Sequence, residues 1–112
     1  MANFLLIHGA SHGAWCWDKI VPRLEKLGHT VATIDLPLKG VDPANPYQVT
    51  MNDYETTALA AMGPDTILVG HSLGGLTASL AAVRAPEKTS AIVYLCALVP
   101  VPGQAFIDFR AE

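Results

Sequence analysis

The pentapeptide Gly70-His71-Ser72-Leu73-Gly74 sets a serine between two glycines, and the chain changes character on either side of it. An apolar run (Ile67, Leu68, Val69) leads in, and an Ala/Leu-rich pattern leads out, so the stretch from Thr66 to Thr77 predicts a strand, a sharp turn and a helix. A serine on such a turn has its hydroxyl lifted above the end of a sheet, where it can attack an electrophile. Gly70 and Gly74 fit because the turn brings their backbones too close to tolerate side chains. The Leu73 N–H, at the first turn of the helix, would point to where an acyl oxygen gains charge, with the positive end of the helix dipole behind it. Gly-x-Ser-x-Gly also arises by chance in an ordinary Gly-Ser turn. The strand before it, the helix after it and a further glycine, Gly75, that lets the helix approach the sheet all favour the elbow.

The remaining elements must hold that serine. Asn3 to His8 is a short, nearly continuous apolar run, the form of a strand covered on both faces. It ends in the glycine-bearing loop His8-Gly9-Ala10-Ser11-His12-Gly13. Between Ala14 and Leu27, Trp17, Ile20, Val21, Leu24 and Leu27 recur at helical spacing, and Gly28 fits a stop. Pro22 implies either that the regular helix begins near Val21 after an irregular turn, or that it is kinked there. Thr30 to Ile34 reads as a second strand, and Leu36 to Thr50, with Pro37, Gly40, Pro43 and Pro46, as a connection beside the site. Thr50 or Asn52 can cap a helix to about Met62, with Tyr54, Leu59 and Met62 facing inward. Gly63-Pro64 ends it, the elbow follows, and Ser90 to Cys96 is a fourth strand. Strands alternating with helices indicate an α/β fold with a parallel sheet of about four strands.

Composition narrows the function classes. The chain of 112 residues is 51% hydrophobic and 15% charged with a net charge of -3, which suits one small domain with a buried core. No basic patch interleaves with aromatics, so nucleic acid is not an expected partner. No apolar run approaches the ~20 residues that span a bilayer. The amino end carries no basic stretch before an apolar core, so no secretory signal is expected and a cytoplasmic setting is the default. Cys16 and Cys96 lack C-x-x-C spacing and read as buried, reduced thiols. His8 and His12 straddle a strand end rather than sharing a helical face, so neither a metal site nor a cofactor is expected. Trp15 and Trp17 read as packing for the first helix, and Asp35 as a loop cap.

The runs F-L-L-I-H-G-A-S-H-G-A-W-C-W, L-G-H-T-V-A-T-I-D-L, V-G-H-S-L-G-G-L and A-P-E-K together resemble the α/β-hydrolase fold. More narrowly they resemble its esterase and hydroxynitrile lyase group, best known from plants and with bacterial members. The resemblance implies that residues 1–98 are the amino-terminal half of such a core and that 99–112 begin a cap or linker. It places the first strand between the second strand and the elbow strand, with Ser90 to Cys96 outside the latter. A ligand crevice then forms at the carboxyl ends where the strand order reverses. It implies Ser72 as the nucleophile, the N–H groups of Ala10 and Leu73 as the oxyanion hole, Gly70, His71 and Gly74 as the elbow, and Gly9 and His12 in the substrate pocket. The lyases of this group tend to carry threonine where Gly9 stands and glutamate where His71 stands. Gly9 and His71 are the esterase-like pair, so hydrolysis of small esters is the first expectation and lyase chemistry the alternative.

One part is missing. The hydrolase triad runs Ser, then an acid, then His along the chain. After Ser72 come Glu87, Asp108 and Glu112 but no histidine, since His8, His12, His29 and His71 all precede the serine. Losing that histidine costs on the order of 10⁶ in kcat, or about 8 kcal/mol. Two expectations follow. Either the acid and the base lie outside these residues, or the chain is a non-catalytic module. The apolar strand Ser90 to Cys96 would be an exposed edge, which in the first case marks an incomplete unit and in the second is expected to pair with another copy or a complementing chain.

Overall fold

The computed structural model describes residues 1–37 and 49–100. Most of the connection expected over 36–50, and all but two residues of the linker or cap segment expected over 99–112, lie outside the described residues. The same is true of two of the candidate acids, Asp108 and Glu112.

Four parallel strands, β1 (Asn3–Ile7), β2 (Thr30–Thr33), β3 (Thr66–His71) and β4 (Thr89–Leu95), form one sheet in the order β2-β1-β3-β4. The central pair is in register with Leu5 opposite Leu68, Leu6 opposite Val69 and Ile7 opposite Gly70. Side chains alternate between faces along a strand. Leu5, Ile7 and Leu68 enter one core with Leu36, Ala58, Met62, Ala78 and Ala81, whereas Leu6 and Val69 enter a second core with Trp17. Two covered faces explain why β1 and β3 are almost continuously apolar.

Three helices cover the sheet: α1 (Val21–Lys26), α2 (Met51–Ala61) and α3 (Gly74–Arg84). At Pro22 the first of the two alternatives holds. A 3₁₀ turn at Ala14–Trp17 precedes α1, and the proline sits in the helix's first turn, where its missing N–H costs nothing. The shorter helix alters which residues are buried. Val21 and Leu24 pack on the second core, but Ile20 and Leu27 are exposed, as is Trp15. Gly28, at φ 94°, closes α1 as expected: its N–H donates to the Glu25 carbonyl and the His29 N–H to that of Leu24. Thr50 and Asp53 cap α2 reciprocally, Asp53 N–H donating to Thr50 Oγ1 at 3.2 Å and Thr50 N–H to Asp53 Oδ2 at 3.0 Å. Arg84 Nε on α3 donates to Glu55 Oε1 on α2 at 2.8 Å.

Helix α3 is tied to β4 by side chains. Ser79 Oγ donates to the Gly75 carbonyl at 2.8 Å, which uses its only proton, so the Tyr94 hydroxyl 2.6 Å away donates to Ser79. The thiol expectation needs correction. Both cysteines are free, but Cys96 is exposed and Cys16 only half-buried, because β4 is a sheet edge among the described residues and the 3₁₀ turn does not close over Cys16.

Candidate active site

Strand β3 ends at His71, and the next residue, Ser72, has φ 56°, in the left-handed region that non-glycine residues seldom adopt. Neighbouring backbone holds it there. The Ser72 carbonyl accepts from Gly75 N–H at 3.1 Å and from Leu98 N–H at 3.0 Å, and Ser72 N–H donates to the Leu95 carbonyl at 3.4 Å. Residues leaving β4 thus clasp the turn. The two flanking glycines answer to close approach: a Cβ on Gly70 would lie 2.6 Å from the Gly74 carbonyl oxygen, and one on Gly74 2.6 Å from that of Ile7. At Gly75 a Cβ would run into the Leu98 carbonyl oxygen.

The loop after β1 meets this turn. A Cβ on Gly9 would stand 2.9 Å from Ser72 Cβ and 3.5 Å from Ser72 Oγ. The loop is braced by His8, which is buried; Leu36 N–H donates to its Nε2 at 2.9 Å. Nε2 is therefore unprotonated, and Nδ1–H donates to the Gly9 carbonyl at 2.8 Å. Asp35 acts as the expected cap, its Oδ1 accepting from Ala14 N–H at 2.7 Å. Neither Ala10 N–H nor Leu73 N–H donates to another group among the described residues. Leu73, the residue just before α3, has helical φ and ψ and no side-chain cap, so its N–H is one of the orphan donors at the positive end of the dipole.

Gly9, Ala10, His12 and Leu73 line one recess, which also touches His8, Ser11, Leu36, Tyr54 and Thr77. His71 is not in it. It lines a second depression with His12, Cys16, Trp17 and Leu95, and its ring stacks on His12 at 6.0 Å. No described histidine is hydrogen-bonded to Ser72. Both ring nitrogens of His8 are engaged, and His29 Nδ1 accepts from Ala2 N–H at 3.0 Å, at the opposite end of the sheet. Glu87 lies in the 3₁₀ turn before β4, also at that far end.

A strained serine after a strand, small residues packed around it and free amides on a crevice at the carboxyl edge of a β2-β1-β3-β4 sheet agree with one sequence comparison. Residues 4–112 match the Alpha/beta hydrolase family. The chain belongs to that family. Among curated relatives of this hydrolase chain, Methylesterase 7 of Arabidopsis thaliana is 43% identical over 105 residues, covering 88% of this chain and 40% of that protein. The Probable esterase PIR7A of Oryza sativa subsp. indica is 40% identical over 108 residues, covering 91% and 41%. The chain spans about two fifths of the length of these relatives. Of solved structures, polyneuridine aldehyde esterase is similar with a TM-score of 0.80 at 35% identity, over 99% of this chain and 46% of that one. An extracellular α/β-hydrolase from a Paenibacillus species gives a TM-score of 0.86 at 32% identity, over 96% and 46%. No helix of the hydrolase chain among the described residues is long and apolar enough to cross a membrane.

Some of the site escaped sequence reasoning. The clamp made by His8 had a signal, a histidine at the end of an apolar strand before glycine. Thr77 had none, because it sits within an Ala/Leu-rich helix.

Proposed function

We propose that this alpha/beta hydrolase chain carries the nucleophile and oxyanion hole of a cofactor-free carboxylic ester hydrolase acting on small esters. Ser72 Oγ attacks the ester carbonyl carbon, and its proton passes to a histidine outside these 112 residues, oriented by an acid also outside them. The carbonyl oxygen becomes an oxyanion held by the N–H groups of Ala10 and Leu73. The C–O bond to the alcohol then breaks as the histidine returns the proton to the leaving oxygen, and water hydrolyses the acyl-serine by the reverse relay. The observation that carries this reading is the approach of Ser72, at φ 56°, to the Gly9-Ala10 turn beside two unengaged amides. Gly9 and His71, where the lyases of the group tend to carry threonine and glutamate, support hydrolysis over lyase chemistry. The names of the relatives support ester hydrolysis too.

The test is hydrolysis of p-nitrophenyl acetate by the protein that carries this chain, set against its Ser72→Ala variant. A fall on the order of 10⁶ is expected, the size seen when a serine nucleophile is removed. Turnover that survives the substitution overturns the assignment. A cytoplasmic location also belongs to this proposal, supported by two unpaired cysteines, and cell fractionation tests it.

A further inference from the structure

Thr77 lies in the middle of α3, is 1% exposed, and its Oγ1 has no hydrogen-bond partner among the described residues. Two other helical hydroxyls take the local option. Thr57 donates to the Asp53 carbonyl and Ser79 to the Gly75 carbonyl, each at 2.8 Å and four residues back. That back-bond is open to any helical threonine. Thr77 does not make it. A buried hydroxyl without a partner is destabilising, which raises the question of what completes it.

The recess answers the question. Thr77 lines the same recess as Gly9, Ala10 and Leu73. Leu73 and Thr77 are four residues apart on one face of α3, about 6 Å along its axis. His8, Ser11, His12, Leu36 and Tyr54 supply the remaining wall. An unpartnered hydroxyl in the wall of such a recess can select a ligand through one polar atom and orient it.

We propose that Thr77 is a specificity-determining residue whose hydroxyl binds a hydroxyl group on the acyl part of the substrate, a few atoms beyond the reacting carbonyl. The inference rests on the esterase reading above. A threonine hydroxyl both donates and accepts, and so does a hydroxyl on the acyl chain, so the two satisfy each other. A plain alkyl chain leaves Thr77 as unpaired as it is in the free protein.

In the protein that carries this chain, kcat/KM for p-nitrophenyl 3-hydroxybutyrate should exceed that for p-nitrophenyl butyrate by about fivefold to tenfold, the size of one net hydrogen bond. Thr77→Val should bring the ratio to about one, and Thr77→Ser should restore it. The unfolding midpoint of Thr77→Val should be no lower than that of the parent, because the methyl replaces a hydroxyl with no partner. A clear drop would mean that the hydroxyl is already bonded within the fold, and would overturn the inference. Titration of 3-hydroxybutyrate and butyrate into Ser72→Ala protein separates the two readings. A preference for the hydroxy acid that Thr77→Val removes, without ester turnover in the parent, upholds the subsite and sinks the esterase. Ester turnover with no preference in either assay upholds the esterase and sinks the subsite, leaving water as the partner of Thr77.

Discussion

At the scale of single residues, the two free cysteines sit in opposite settings. Burial pushes the Cys16 thiol above its ordinary value of 9.0, and the Asp18 charge adds to the effect. Cys16 is thus held protonated and poorly nucleophilic, whereas Cys96 is exposed just beyond β4. A thiol-specific chromogenic disulfide should react in two phases, the fast one belonging to Cys96 and the slow one disappearing in Cys16→Ser. The sign of the linkage is fixed by the direction of the shift. Stability from the protonated Cys16 is fully present below 9.0 and declines as pH rises through the folded-state value. The denaturation midpoint should therefore fall at alkaline pH in the parent and fall less in Cys16→Ser. Equal reaction rates for the two thiols would contradict this assignment.

At the scale of elements, the site depends on how closely α3 approaches the sheet. A Cβ on Gly74 would meet the backbone carbonyl oxygens of Ile7 and His8 at 2.6 and 2.8 Å, and backbone cannot swing aside as a side chain can. Gly74→Ala should push the start of α3 off β1, cost about 1–3 kcal/mol as overpacking does, and move the Leu73 N–H away from Ala10. Gly63→Ala, where nothing lies within 4 Å, is the control and should stay within about 0.5 kcal/mol. Chemical denaturation of both variants checks the contrast, and a neutral Gly74→Ala would show that the contact is not limiting. The same elements show what a sequence can disclose. β1 and β3 were legible because burial on both faces leaves an unbroken apolar run, and the helix ends because Pro22, Gly28, Gly63-Pro64 and Pro86 punctuate them. The exposure of Leu27 and Trp15 was not legible, since periodicity gives the spacing of apolar residues but not whether a partner surface exists for each. The elbow and its glycines could be read because their roles are set by backbone geometry. The orphan hydroxyl of Thr77 could not, because a helical threonine usually satisfies itself and only a rotamer tells otherwise.

At the scale of the whole molecule, the sheet and the site share one boundary. β4 pairs with β3 along one side only among the described residues, and Val93 and Leu95 on it are 44% and 46% exposed. An apolar strand with an unpaired row of N–H and C=O groups is a template for another strand. The same strand leads into Leu95 and Leu98, whose backbone groups bond Ser72, so whatever pairs with β4 also steadies the strained turn. We propose that these 112 residues, produced alone, associate through β4 with a second copy. Light scattering should give a mass above the 11.9 kDa of one chain, rising with concentration. Val93→Lys, a charge on the exposed edge, should shift the distribution toward monomer while leaving the far-ultraviolet circular dichroism unchanged, since Val93 is no part of either core. A parent chain that stays monomeric at high concentration would sink the edge proposal. Association that Val93→Lys leaves untouched would place the contact elsewhere. If β4 does pair, amide exchange at Ser72 and Leu98 should slow with concentration in the parent but not in Val93→Lys, because a steadier β4 holds the Leu95 and Leu98 bonds to the turn closed for longer.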